Sequence, residues 1–534
     1  MSRGSIPADN LRAPARRFFV FLLAGLCATA GAARQATVTV LHTTDMHGSV
    51  RRTPGVYAEN NEGSLLQCAT LIRKIRAERP DALLLDGGDA FQGTAESFLT
   101  RGGVVAKAMN ALGYDAFAIG NHEFDWGVEA LGEMLGQMDA VPLAANLLAG
   151  EGAPEAFRRV LPFAVKEIDG VKVAVVGLTT PNIPNWFRGV RENGVRIVDS
   201  RRALENTLPL VRKERPQILI LLVHQGIMAA DDVANEINGI CKRFGEFDLV
   251  LGGHLHWVLA GARVGRTDYA QSGSGARGVM RIDLVFDTVE NAVVDKKFEY
   301  VPVMSDTPED PGIAALVADD LEKADRWMDD VLGRTTADLT YSPAGAGLSP
   351  VQQLLCAAIA EKTGAEAVLH GILSDKGIPK GPIRVADVWR IVPYENTVGV
   401  LWLTPAEIRA ILEESAAYLG TDRTFGAWGL QYEVHSYARE GNRIRNLRAA
   451  DGSAINGKRR IKTAFNSYHL AGGGGRFPAL VKAAGTPNAR LEMEDATTRD
   501  MVMDYVRAHR VVGFSEGTNA VVIRAEPKRW QRRK

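Results

Sequence analysis

Five short apolar runs in the first half of the chain each end in side chains that can hold a metal ion. Val40-Leu41-His42-Thr43-Thr44 leads into Asp45-Met46-His47. Leu85-Asp86-Gly87-Gly88 leads into Asp89, and Ile119-Gly120 leads into Asn121-His122-Glu123-Phe124-Asp125. Leu222-Val223 leads into His224, and Leu251-Gly252-Gly253 leads into His254-Leu255-His256. Six of the ten histidines fall in these five places, which sets the group apart from scattered core histidines.

Carboxylate oxygens and imidazole nitrogens together suit hard or borderline divalent ions such as Mn²⁺, Zn²⁺ or Fe²⁺. No cysteine takes part, so a structural zinc site is not expected. The set holds more ligands than one ion needs, and two ions sharing one carboxylate would use them all. The glycines beside Asp89 and His254 let the backbone turn sharply and approach such ions closely.

These residues need strands to position them. The runs Val38–Leu41, Ala82–Leu85, Ala116–Ile119, Val173–Val176, Ile218–Val223 and Leu249–Leu251 are apolar without alternation, as expected of strands covered on both faces. Segments between them, such as Leu65–Arg79 and Asp231–Phe244, have helical spacing. In open α/β sheets the carboxyl edge of the strands is where ligands bind, and that is where the candidate ligands fall. From about Ser305 the character changes. A charged amphipathic stretch predicts a bridging helix as far as Leu332. Beyond it lies a glycine-rich mixture of helices (Ser349–Lys362, Pro405–Leu419, Thr498–Val511) and short strands, which reads as α+β.

A chain of 534 residues exceeds what one core usually supports, so at least two domains are expected. Lys plus Arg and Asp plus Glu both total 63, so nothing in the balance of charge points to nucleic-acid binding. Residues 1–36 read as a signal peptide: Arg12, Arg16 and Arg17 precede the apolar run Phe18–Cys27, and Ala28-Thr29-Ala30 and Ala30-Gly31-Ala32 are cleavage candidates. That run is too short to span a membrane, so stable insertion is not expected and export to the periplasm or the extracellular space is. Cys68, Cys241 and Cys356 are far apart and odd in number, which reads as buried thiols. The last residues, 526–534, read as a basic tail. The oligomeric state is not legible.

The set D-x-H, G-D, G-N-H-E, V-H and G-H-x-H resembles the signature of calcineurin-like metallophosphoesterases. With Gly120-Asn121-His122-Glu123-Phe124-Asp125 and a second domain of this size, the chain resembles the secreted 5′-nucleotidase family, which includes UDP-sugar hydrolases and 2′,3′-cyclic-nucleotide phosphodiesterases. The resemblance implies a four-layer α/β metallophosphoesterase sandwich over residues 37–304. It implies a bridging segment at 305–334 and a smaller α+β specificity domain, 5′-nucleotidase C-terminal-like, over 335–525. It further implies that Asp45, His47 and His256 hold one divalent ion, that Asn121, His224 and His254 hold another, and that Asp89 bridges them. A hydroxide held between the ions would attack phosphorus, with His122 and Asp125 as a catalytic dyad. Glu123 and His42 read as structural. The partner implied is a small-molecule phosphoester, a nucleotide first of all.

In the second domain the resemblance implies that aromatic rings stack a nucleobase. Thr424-Phe425-Gly426-Ala427-Trp428-Gly429-Leu430 offers Phe425, and the glycine-rich stretch ending Gly475-Arg476-Phe477-Pro478 offers Phe477, with Arg476 as an anion contact. Pro393-Tyr394-Glu395-Asn396-Thr397 resembles the family's P-F-x-N-T and offers Asn396, with Glu395 where small residues are common. The family arginine expected before Pro379-Lys380-Gly381-Pro382-Ile383 is missing, and Asp375 stands near its place. An acid there weakens the case for a simple nucleoside monophosphate. A cyclic nucleotide or 3′-nucleotide, a UDP-sugar or a non-nucleotide phosphoester therefore remains open as substrate. A related sulfur-oxidation enzyme on this fold replaces the catalytic His, so His122 speaks against that chemistry. A catalytically dead metal-binding protein would show a broken ligand position, and none is seen.

Overall fold

The computed structural model of the chain describes residues 35–53, 62–190, 192–342, 347–421 and 423–524. The expected signal peptide and basic tail lie essentially outside the described residues. Contacts divide the chain into two compact units, the first ending at Ala324 and the second starting at Asp325, inside helix Pro311–Asp329.

The first unit is built on two six-stranded sheets. One runs in the order Ala292–Pro302, Gly278–Asp287, Gln35–Thr43, Leu83–Asp86, Ala116–Ala118, Val141–Leu143. The other runs Val258–Val264, Thr267–Ser272, Leu249–Leu251, Ile218–Val223, Val171–Leu178, Phe163–Ile168. Their inner faces share one apolar core, in which Val38, Val40, Leu83 and Leu85 of the first sheet join Ile218, Ile220, Leu222 and Leu251 of the second. The alternate residues Leu219, Leu221 and Val223 face a separate outer core with Ala203, Leu204 and Ile240 of the helices covering that sheet. Burial on both faces is why these runs are apolar at every position. The result is the expected four layers.

Strand Gln35–Thr43 pairs in parallel with Leu83–Asp86, which pairs in parallel with Ala116–Ala118. Ile218–Val223 lies parallel to both Leu249–Leu251 and Val171–Leu178. The central parallel strands therefore point the same way within each sheet, and their carboxyl ends carry the candidate ligands. The helix expected over Asp231–Phe244 begins only at Ile237. The Asp231 carboxylate takes the N–H groups of Asn238 and Gly239, and Asp232 takes those of Ala234 and Asn235, so the first six residues form a side-chain-bonded turn instead.

The second unit has a five-stranded sheet ordered Gly426–Trp428, Ala367–His370, Ile461–Asn466, Thr397–Leu403, Glu492–Thr497. Only Ala367–His370 and Ile461–Asn466 pair in parallel; the other neighbours are antiparallel, as an α+β unit requires. Helix Pro350–Thr363 starts on a reciprocal capping box between Ser349 and Gln352. The bridging helix ends at Asp329, short of Leu332, because Val331–Thr335 is a strand paired with Gly381–Arg384 and Val511–Val512.

Candidate metal centre

Two loops form the frame of the site. The N–H groups of Asp45, His47 and Gly48 donate to the carbonyls of Gly88, Asp89 and Ala90, at 2.8, 3.0 and 2.9 Å. This short ladder continues the pairing of the two strands beyond their ends and brings the first two ligand loops together. Five candidate ligands, Asp45, His47, Asp89, His254 and His256, sit at positive φ between 49° and 73°. Non-glycine residues avoid that region, and each costs of order 1–3 kcal/mol there. Such strain gathered on one set of side chains marks a functional site.

The side chains converge as two groups: Asp45 with His47 and His256, and Asp89 with His224 and His254, the ligand atoms of each group lying within 4.8 Å of one another. His47 Nε2 lies 3.1 Å from His256 Nε2, and His47 Nδ1 faces the Gln92 carbonyl at 3.2 Å. A carbonyl can only accept, so Nδ1 carries the proton and Nε2 offers a lone pair. His224 repeats the arrangement: Nδ1 donates to the Gly87 carbonyl at 2.8 Å, and Nε2 lies 2.9 Å from Asp89 Oδ2. His256 Nε2 stands 3.5 Å from Asp45 Oδ1. Contacts of this length between ligand-type atoms are bridged by a proton on one of them or by a metal ion. Ligands about 2.1 Å from a common ion are about 3.0 Å apart in an octahedron and about 3.4 Å apart in a tetrahedron, so the spacing fits. Asn121 is buried, and its Oδ1 has no hydrogen-bond partner in the protein, as a metal-bound amide oxygen would not.

The electrostatics agree. Burial lowers His47 to about 4 and His254 to about 3, which keeps both neutral. Burial pushes Asp45 up to about 7. For Asp89, burial opposes the charge, but His224 and His122 outweigh it and hold the carboxyl well below its usual range. For His224 the balance is the mirror image: burial disfavours the cation, and Asp89 more than compensates, raising it to about 9. A divalent ion held by these two groups would compete with a proton on His224, so its binding would release that proton.

His122 stands at the edge of the cluster, one-third exposed, its ring 5.3 Å from that of His47. Its backbone N–H donates to Asp89 Oδ1 at 2.8 Å, and its Nδ1 pairs with Asp125 Oδ2 at 2.8 Å. His42 is fully buried and contacts Ser272 Oγ at 3.3 Å, in keeping with a structural role. Glu123 is also buried, and its carboxylate accepts from the N–H groups of Asp89, Ala90 and Gly120. Trp186, which no motif spacing marks, lies with its ring 5.6 Å from that of His254.

The expected base-stacking residues of the second unit are placed differently from the expectation. Phe425 and Phe477 are each only 2% exposed, and their rings touch each other at 4.7 Å. A base sandwiched between two rings needs roughly twice a stacking distance of about 3.5 Å, so in this arrangement the slot is filled by the rings themselves. Phe477 adopts φ 57°, and Arg476 lies over the Phe477 and Tyr418 rings, at 4.8 and 5.3 Å. Arg476 Nη2 donates to the Arg423 carbonyl at 2.5 Å. Asn396 is half-buried, its carbonyl accepting from Thr498 N–H at 2.9 Å. Glu395 pairs with Arg499, both side chains 1% exposed, which explains an acid where small residues are common. Asp375 is exposed and pairs with Lys376.

Residues 38–258 match the calcineurin-like phosphoesterase family, and residues 331–482 match the 5′-nucleotidase C-terminal domain. The chain is 32% identical to a rat 5′-nucleotidase over 254 residues, 46% of this chain and 42% of that protein. It is 25% identical to a 5′-nucleotidase of Diplobatis ommata over 92% of this chain and 91% of that one. The fold superposes on the crystal structure of a 5′-nucleotidase precursor from Thermus thermophilus with a TM-score of 0.64, at 22% identity, covering 92% of this chain and 100% of that one. The aligned part spans less than half the length of the rat relative. Motifs, layers and both matched domains agree, and the chain belongs to the calcineurin-like metallophosphoesterases that carry a 5′-nucleotidase C-terminal domain.

Proposed function

We propose that this protein is a two-metal phosphoester hydrolase, exported from the cytoplasm, that acts on small-molecule phosphoesters of the nucleotide class. The reading rests chiefly on one observation: paired acceptor atoms of Asp45, His47 and His256 and of Asp89, His224 and His254 face each other at ligand spacing beside a protonatable imidazole. In this reading Asn121 completes the second group and Asp89 is shared. Bound divalent ions would neutralise the phosphate oxygens and lower the pKa of a water held between them.

The protein's own groups supply the rest. Asp125 holds the His122 ring by Nδ1, leaving Nε2 to carry a proton toward the ester. As the bond from phosphorus to the leaving oxygen breaks and a water oxygen takes its place, that proton passes to the leaving alkoxide. Asp89 Oδ1 fixes the start of the 3₁₀ turn His122–Phe124 through the His122 N–H, so proton donor and ligand are set by one carboxylate.

The acid at Asp375 favours, over a simple nucleoside monophosphate, a second reading of the substrate: a 2′,3′-cyclic nucleotide, 3′-nucleotide or UDP-sugar; the closed ring pair of Phe425 and Phe477 favours a non-nucleotide ester. Phosphate release with added Mn²⁺, Zn²⁺, Co²⁺ or Mg²⁺ tests both readings. The panel compares AMP, 3′-AMP, 2′,3′-cyclic AMP, UDP-glucose and bis(p-nitrophenyl) phosphate. Turnover of AMP supports the first reading. Turnover of bis(p-nitrophenyl) phosphate alone removes nucleotides from it, and no turnover with any ion refutes hydrolysis. Among the described residues, no helix is long and apolar enough to cross a membrane.

A further inference from the structure

We infer that Glu123 is a positioning residue for the shared carboxylate Asp89, and that the family signature's acid acts by holding the metal-bearing loop. The inference rests on the two-metal reading proposed above. Glu123 Oε2 accepts from Asp89 N–H at 2.9 Å and from Gly120 N–H at 2.7 Å, and Oε1 accepts from Ala90 N–H at 2.8 Å. Three backbone donors from two separate loops thus end on one side chain that is 4% exposed.

Those donors bracket the strained residue. Asp89 sits at φ 54° and Gly88 at φ 94°, in a turn whose N–H groups donate to side-chain carboxylates. Buried N–H groups left unpaired are costly, and a charged acceptor strengthens each bond it accepts. Asp86 secures the preceding amide, Gly88 N–H, at 2.9 Å. The loop is therefore pinned on successive amides, and the Asp89 side chain is left to face His224 and the His122 N–H.

Two features make the side chain hard to replace. A carboxylate is acceptor-only, whereas an amide would turn an NH₂ group toward at least one N–H donor. The approach also depends on Gly120, where an added Cβ would lie 2.2 Å from Asp89 Oδ1, 2.5 Å from Asp89 N and 2.7 Å from Glu123 Oε2. Glu123 does not touch any ester, so its effect must pass through Asp89.

The test measures metal content and divalent-ion affinity of the full chain by elemental analysis and Mn²⁺ titration, with the melting temperature recorded in parallel. Glu123→Gln is expected to weaken Mn²⁺ binding and to lower kcat, each by about 10–100-fold, with KM little changed and activity partly restored by excess Mn²⁺. Wild-type affinity and kcat in folded Glu123→Gln would overturn the inference. If that variant does not fold, Gly120→Ala crowds the same loop from the other side. It is expected to lose metal affinity likewise, and unchanged affinity there would overturn the inference too. A wild-type chain that retains no ions would instead refute the two-metal reading, so the two failures are distinguishable.

Discussion

His122 Nδ1 lies 2.8 Å from Asp125 Oδ2, three residues along the same turn of chain. Burial pulls the imidazole toward neutrality, but Asp125 and Asp89 outweigh it and raise it to about 10. A raised histidine is cationic below that value and loses its proton as pH rises through it. Removing the carboxylate in Asp125→Asn should therefore lower the His122 pKa. The alkaline limb of the kcat profile is expected to move down by at least about one unit, since one unit corresponds to about 1.4 kcal/mol of charge interaction. Activity at pH 9 should fall more than activity at pH 7. A pH–rate profile of wild type and variant checks the direction, and a limb that stays in place contradicts the dyad.

His122→Ala removes the proton donor but none of the grouped ligands. We expect kcat to fall by about 10²–10⁴-fold, the usual contribution of a positioned general acid, with metal content unchanged. Steady-state kinetics beside elemental analysis separates this from a loss of ions.

Asp89→Asn should act differently, because Asp89 faces His224 on one oxygen and the His122 N–H on the other. An amide keeps one acceptor and removes the charge. We expect a drop in both ion retention and kcat, larger in kcat than for His122→Ala. Full activity with full metal content would rule out a shared carboxylate.

Arg499 and Glu395 form a buried pair in the second unit, with Arg499 Cζ 3.5 Å from the Trp389 ring centre. Glu395→Ala leaves a buried guanidinium without its counter-charge, held by the Val392 carbonyl and the Trp389 ring. A destabilisation of about 3–5 kcal/mol is expected, read by chemical denaturation, with metal content of the folded fraction unaffected.

Phe425 and Phe477 belong to the same apolar core as Leu369, Leu401 and Phe465. Truncating either to Ala should cost about 3–5 kcal/mol of stability. A variant that loses nucleotide affinity at unchanged stability would instead show that the rings open to receive a base.

The apolar runs and the candidate ligands at their ends were legible because both obey local rules: strands covered on two faces are apolar throughout, and side chains that converge at a sheet's edge fall where the strands stop. The late start of the helix at Ile237 was not legible, because Asp232 takes the amides of Ala234 and Asn235 while Asp231 caps the first turn at Asn238 and Gly239, which apolar spacing does not show. The packing of Phe425 on Phe477 was not legible either. Phe477 sits at φ 57° against the Phe425 ring, and spacing alone does not say which way a ring turns. Trp186 reaches His254 from the end of the short helix Ile183–Trp186, which carries no motif, so only the folded chain places it.

Anomalous scattering from crystals of the full chain grown with Mn²⁺ tests the central claim most directly. Two peaks are predicted, one among Asp45, His47 and His256 and one among Asp89, Asn121, His224 and His254, with Asp89 touching both. A single peak, or ions bound away from these side chains, would contradict the account.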